Sequence, residues 1–235
     1  MEIYFTVRSG EHDFLYKYNL SSSFVKRLPK VDCLLYSEGK LIGGNKEKLF
    51  DTETLDTIVR AESEYTAFST FKDKIIAADG LNVVLPIEKV KIGYVEPPKE
   101  LTREIVAIAQ YQNDIMVGCN NHKSSGVFYL SDVNKKFYFT GPIKSIIPID
   151  GNMIILNNVI NETTAVNELA GEVRRFVGIA THAVRYNGNV IVSGKFDGIK
   201  LMNCQSLEIR ECLKDMGPIN ALAVVPEALN SFNTL

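Results

Sequence analysis

The sequence predicts an all-β fold, a six-bladed β-propeller of four-stranded antiparallel blades. In it the C-terminal strand pairs with the N-terminal strands to close the first blade. Three observations carry this expectation. Apolar runs recur about every 37 residues along the 235-residue chain. Within each repeat, two runs keep a constant offset of nine residues. The turns between them are rich in Gly, Asn and Asp. A period of roughly 20–50 residues marks a repeat architecture, whose units bury their apolar faces only against one another.

The first run of each repeat includes Asp32–Tyr36, Tyr65–Ser69, Ile105–Ala109, Ile143–Ile147, Thr181–Arg185 and Ile219–Ala223. The second is anchored at Phe5, Ile42, Ile76, Val117, Ile155 and Val192, with spacings of 37, 34, 41, 38 and 37. Five of these anchors lie nine residues after Cys33, Ala67, Ile108, Ile146 and Ala183. A constant offset within a varying period means a fixed hairpin, with outer loops absorbing the length changes. The turns read Ser37–Lys40, Lys72–Lys74, Gln112–Asp114, Asp150–Asn152 and Asn187–Asn189. Asn-Gly and Asp-Gly adopt positive φ readily, as a type I′ hairpin turn requires.

Third and fourth strands follow at Lys48–Asp51, Asn82–Leu85 and Val127–Leu130, then at Thr57–Arg60 and Phe137–Phe139. Their greater polarity suits outer positions. The chain starts on a second-type strand, Ile3–Val7, continues through Phe14–Tyr18 and Ser23–Lys26, and finishes on a first-type strand at residues 219–225. The two strand types balance only if the ends share one blade, and closure removes open sheet edges. The expected blades are 219–235 plus 1–29, 31–62, 65–100, 105–142, 143–178 and 180–217, in a single domain 1–235. No segment sustains a 3.6-residue period over about 12 residues. Val166–Ala170 and Pro226–Leu229 come nearest to helical turns.

Composition excludes several function classes. The net charge of −2 opposes a broad grip on phosphate backbones, although local contact with RNA stays open. No run reaches the roughly 18 apolar residues that span a bilayer, so membrane insertion is not expected. Met1–Phe5 does not open as a secretory signal. Cys33, Cys119, Cys204 and Cys212 form no C-x-x-C pair and read as reduced, packed thiols. They place the protein in the cytoplasm or nucleus.

At Ser193-Gly194-Lys195-Phe196-Asp197-Gly198-Ile199-Lys200-Leu201-Met202-Asn203 the sequence resembles the WD-repeat propeller family. Asp197 matches that family's turn aspartate, Met202 stands at its tryptophan, and Asn203 replaces its final aspartate. Leu49-Phe50-Asp51 and Leu130-Ser131-Asp132 are weaker copies. The chain has no tryptophan, and the family's Gly-His pair is absent, so at most Ser193 with Asp197 keeps a fragment of its buried polar network. The resemblance implies a non-enzymatic scaffold or adaptor that meets protein partners within a larger multiprotein or ribonucleoprotein assembly.

No catalytic signature occurs: there is no G-x-S-x-G, H-E-x-x-H, phosphate loop or EF-hand. Gly39–Gly44 reads as a hairpin rather than a dinucleotide fingerprint. His12 and His122 read as solvated loop residues, His182 as a core or channel histidine. Three residues beyond each second-strand anchor stand Arg8, Asn45, Asp79, Asn120, Asn158 and Lys195. In a ring these would surround one channel mouth as a binding rim, or simply serve turn chemistry. Phe196, an aromatic in a turn, joins them as a candidate contact, and Tyr94 is placed in a long connection. Lys26-Arg27 and Arg174-Arg175 read as outer-strand charges. The alternatives are a lactonase-type propeller enzyme with a channel metal and a ribosome- or RNA-associated propeller subunit. Asn45, Asp79, Asn120 and Asn158 offer a hard cation only one carboxylate, so no metal or cofactor is expected.

Overall fold

The computed structural model describes residues 2–226, apart from 20, 102, 103, 122, 133, 135, 150, 151, 160, 161, 168–171, 178, 179 and 196. The side chains of 19, 21, 140, 149, 152–177 and 197 are also outside the description. Within these bounds the chain is built of antiparallel strands. Four sheets are four-stranded. They comprise β4 (Cys33–Ser37), β5 (Lys40–Gly44), β6 (Lys48–Asp51) and β7 (Thr57–Arg60); β8 (Tyr65–Phe71), β9 (Lys74–Asp79), β10 (Asn82–Leu85) and β11 (Val90–Tyr94); β12 (Ile105–Tyr111), β13 (Asp114–Asn120), β14 (Ser124–Tyr129) and β15 (Lys136–Thr140); and β16 (Ile143–Ile149), β17 (Asn152–Val159), β18 (Glu162–Asn167) and β19 (Glu172–Val177).

The fifth sheet has seven strands, in the order β20-β21-β22-β23-β1-β2-β3. It joins β20 (Ala180–Tyr186), β21 (Asn189–Gly194), β22 (Asp197–Asn203) and β23 (Ile209–Val225) to β1 (Glu2–Ser9), β2 (His12–Asn19) and β3 (Ser21–Leu28). The separate strands expected before and after residue 217 are one 17-residue strand. Its first part pairs with β22 and its second part with β1, from Glu2↔Val225 to Val7↔Ile219. Asp215 and Gly217, at φ 59° and 71°, turn the strand between the two parts. The expected union of the chain ends in one sheet is therefore present.

All five first-type hairpins have two-residue turns, from Ser37↔Lys40 and Phe71↔Lys74 to Tyr111↔Asp114, Ile149↔Asn152 and Tyr186↔Asn189. The constant nine-residue offset is this turn geometry. Glu38 and Gly39 have φ of 50° and 80°, and Asn187 and Gly188 have 44° and 71°. Both centres are left-handed, as in the I′ turn that matches strand twist. The anchors Ile108↔Val117, Ile146↔Ile155 and Ala183↔Val192 are direct pairs. In the first two hairpins the equivalent pairs are Leu34↔Gly43 and Phe68↔Ala77, one residue along each strand from the anchors read in the sequence. There Gly43 leaves room for the Phe50 ring, which would lie 2.5 Å from an added Cβ.

The strands β8, β12, β16, β20 and the second part of β23 each carry a bulge near their N-terminal end. The extra residues are Thr66, Val106, Lys144, Thr181 and Asn220. A bulge bends the strand and re-aims a side chain. Around the molecule β4 packs on β8, β8 on β12, β12 on β16, β16 on β20, β20 on β23, and β23 on β4. Apolar clusters fill the spaces between sheets. One holds Ile105, Val117, Cys119 and Phe128 against Ile76 and Val83 of the preceding sheet. Met202 is fully buried with Ile147, Val190 and Val192, where its flexible thioether fills the space between strands. Val166 and Asn167 belong to β18 rather than to a helical turn, and the rest of the Pro226–Leu229 segment after Pro226 lies outside the described residues.

Candidate functional site

The six packed strands enclose a central cavity of about 940 Å³. Its wall comes from β4, β8, β12, β16, β20 and the end of β23. The mouth at their N-terminal ends is formed by Asp32, Lys46, Thr66, Lys144, Thr181 and His182. Tyr36, Thr70, Gln110, Pro148 and Arg185 lie toward the other end.

Of the rim residues read from the sequence, Arg8, Asn45, Asp79, Asn120 and Lys195 sit away from this wall. They stand at or just past the ends of the second strands, one strand outward, and the first four tie neighbouring segments down. Arg8 donates from Nε and Nη2 to Asp13 at 3.1 and 3.0 Å and from Nη2 to the Val31 carbonyl at 2.8 Å. Asp13 is fully buried and also accepts from the Val31 N–H at 2.6 Å. Asn45 accepts from the Glu47 and Lys48 N–H groups and donates to the Lys30 carbonyl at 3.1 Å. Asp79 accepts from the Ser63 hydroxyl. Asn120 donates to the Ile143 carbonyl and accepts from its N–H, both at 2.9 Å, and so locks one sheet to the next. Lys195 is exposed. Asn158 is described in its backbone only, and Phe196 and His122 lie outside the described residues. His12 begins β2 rather than standing in a loop.

Bulge residues make the same kind of tie, which the sequence reading missed. Thr66 donates to the Ile105 carbonyl at 2.6 Å, and Asn220 to the Val31 carbonyl at 2.8 Å. The available signal was a large apolar residue, one extra residue, then a small one: Tyr65-Thr66-Ala67, Ile105-Val106-Ala107, Ile143-Lys144-Ser145 and Ile219-Asn220-Ala221. Ala180-Thr181-His182 breaks that pattern by placing an imidazole where the others place a small side chain.

His182 Nδ1 lies 2.8 Å from the Thr181 hydroxyl. Burial pushes the imidazole below its ordinary pKa; the Asp32 backbone and carboxylate oppose this, and Arg8 reinforces it. Asp32 is itself drawn to Arg8, 3.6 Å away. Burial holds the Cys119 thiol up to about 12 and raises Cys33 and Cys212 as well, which makes these thiols poor nucleophiles. Among the described residues no group of three or more His, Cys, Asp or Glu could hold a metal, and no helix is long and apolar enough to cross a membrane. Outer strands carry exposed aromatics: Phe24 on β3, Tyr138 on β15 and Tyr94, which ends β11 rather than lying in a connection.

The turn after the third strand is held in the same way in two sheets. Asp51 Oδ1 accepts from Glu53 and Thr54 N–H at 2.7 and 3.3 Å, and Asn203 Oδ1 accepts from Gln205 and Ser206 N–H at 2.9 Å. Asn therefore does the same turn work as Asp. Ser193 Oγ, by contrast, is buried without a hydrogen-bond partner among the described residues.

This architecture defines a propeller-like all-β protein. A chain of a nidogen/laminin complex, itself a propeller, superposes with a TM-score of 0.68 at 9% identity, over 94% of this chain and 97% of that one. A Bacteroides caccae protein of unknown function gives 0.57 at 14% identity, over 77% and 72%. The computationally designed Ika8 protein gives 0.51 at 11% identity, over 94% and 90%. These likenesses concern the fold. No family model matches the sequence, and no curated protein does.

Proposed function

We propose that this chain is a non-enzymatic interaction scaffold or adaptor, a six-bladed, WD-repeat-like subunit of a larger multiprotein or ribonucleoprotein assembly. The sixth blade follows if β23 is counted twice, as the outer strand of one blade and the innermost strand of the next. The observation that carries the reading is loop preorganisation. Arg8, Asn45, Asp79 and Asn120 each hydrogen-bond a loop or the start of a strand, so a partner meets loops already ordered and binding costs little entropy. Lys195, Asn158 and Phe196 stay contact candidates on the sequence pattern alone. The exposed Phe24, Tyr94 and Tyr138 add apolar area of the type enriched at interaction hot spots. Four free cysteines suit a reducing compartment, the cytoplasm or nucleus.

Affinity purification of the tagged full chain from its native source, followed by mass spectrometry, tests the proposal. A stoichiometric partner that stays bound through size-exclusion chromatography is expected. Recovery of the chain by itself would overturn the scaffold reading.

A further inference from the structure

The channel differs in charge from the molecule around it. The whole chain has 26 Lys and Arg against 28 Asp and Glu, yet among the described residues the cavity lining holds Lys46, Lys144 and Arg185 against the single carboxylate of Asp32. That carboxylate is turned aside. Arg8 draws it from outside the lining at 3.6 Å, and His182 packs against the backbone of the same residue. Lys144 is the residue that a bulge inserts into β16. It is exposed and forms no ion pair among the described residues. Lys46 reaches the same mouth and pairs with the exposed Glu64 at 3.0 Å. The Thr181 hydroxyl stands on the adjacent strand at the level of Lys144, where the bulges of β16 and β20 coincide. A concave opening with an excess of one sign of charge raises the local concentration of counter-ions. The cavity's size is that of a small-molecule site.

We propose that the central channel binds a small polyanion of the phosphate class, held at its mouth by the ammonium groups of Lys46 and Lys144 beside the Thr181 hydroxyl. The site draws Lys46 from the β5–β6 loop and Lys144 from the bulge of β16.

Inorganic tripolyphosphate titrated into the full chain by isothermal calorimetry tests it. One saturable site per chain is expected. Lys144→Gln should weaken binding about tenfold, the loss of one charge-assisted contact, and Lys46→Gln somewhat less because Glu64 already shares that charge. Lys136→Gln, on the outer strand β15, should leave affinity unchanged. Vesicles containing a phosphoinositide, a lipid source of the same group, should not sediment the protein, because a chain of net charge −2 gains little at an anionic surface. The proposal fails if tripolyphosphate shows no saturable binding at millimolar concentration. It also fails if Lys144→Gln binds as well as the parent, if Lys136→Gln loses as much, or if only the vesicles bind.

Discussion

At the residue scale, the Arg8–Asp13 pair shows how burial decides which partner matters. Asp13 is fully buried, whereas the Arg8 side chain is 39% exposed. Removing Arg8 strands a carboxylate in the interior; neutralising Asp13 leaves a guanidinium that can still reach water and the Val31 carbonyl. Arg8→Ala should therefore cost about 3 kcal/mol and Asp13→Asn only about 1 kcal/mol. The double variant should recover much of the Arg8→Ala loss. Urea-unfolding midpoints measure all three, and additive losses would refute the coupling. His182 carries a second prediction. Its folded pKa lies below the ordinary value of 6.5. Above that pH both folded and unfolded chains hold a neutral imidazole. As pH falls through it the unfolded chain takes up a proton that the folded one resists, so stability declines until the folded pKa is reached. His182→Ala, which installs the small residue found at Ala67, Ala107 and Ala221, should flatten the fall in melting temperature between about pH 7.5 and 5.5. Parallel curves for parent and variant would exclude His182 as the source.

At the element scale, register and turn geometry set the tolerances. Gly188 and Gly198 have nearly the same φ, 71° and 70°, but different surroundings. A Cβ on Gly188 meets nothing within 4 Å, while on Gly198 it would lie 1.9 Å from the Leu213 carbonyl oxygen. Gly188→Ala should cost about 1 kcal/mol, the left-handed penalty alone. Gly198→Ala adds a backbone collision that only movement of β23 relieves, for a total of about 3 kcal/mol or more. Equal unfolding midpoints for the two variants would show that the β22–β23 contact yields easily. The hairpins were legible in the sequence because turn chemistry is local: Asn187-Gly188 both mark the turn and adopt its φ values. The bulges were not, because an extra residue is defined only by the strand opposite it. The rim suffered likewise. Arg8, Asn45, Asp79 and Asn120 fall three residues past the second-strand anchors, but which way they reach depends on the neighbouring loops.

At the scale of the whole molecule, β23 is the keystone, since its second part is the strand that joins β1 to the ring of innermost strands. Truncation after Gly217 removes that part. It leaves β1 with an unpaired edge and uncovers Phe5, which is fully buried in the intact chain. An exposed apolar edge promotes association, so the truncated chain should lose its cooperative thermal transition and sediment as aggregate. A sharp transition within a few degrees of the parent would mean that the other sheets stand without closure.

By itself the sequence determined the repeat, the strand type, the hairpin turns and the pairing of the chain ends, because periodicity and turn chemistry are written in neighbouring residues. Only the tertiary structure decided that β23 runs unbroken between two groups of strands, that Asp32 is drawn from the channel toward Arg8, and that Lys144 stands at its mouth. These depend on contacts between residues far apart in the chain, such as Asn220 with Val31, and no local pattern encodes which distant backbone a side chain will reach.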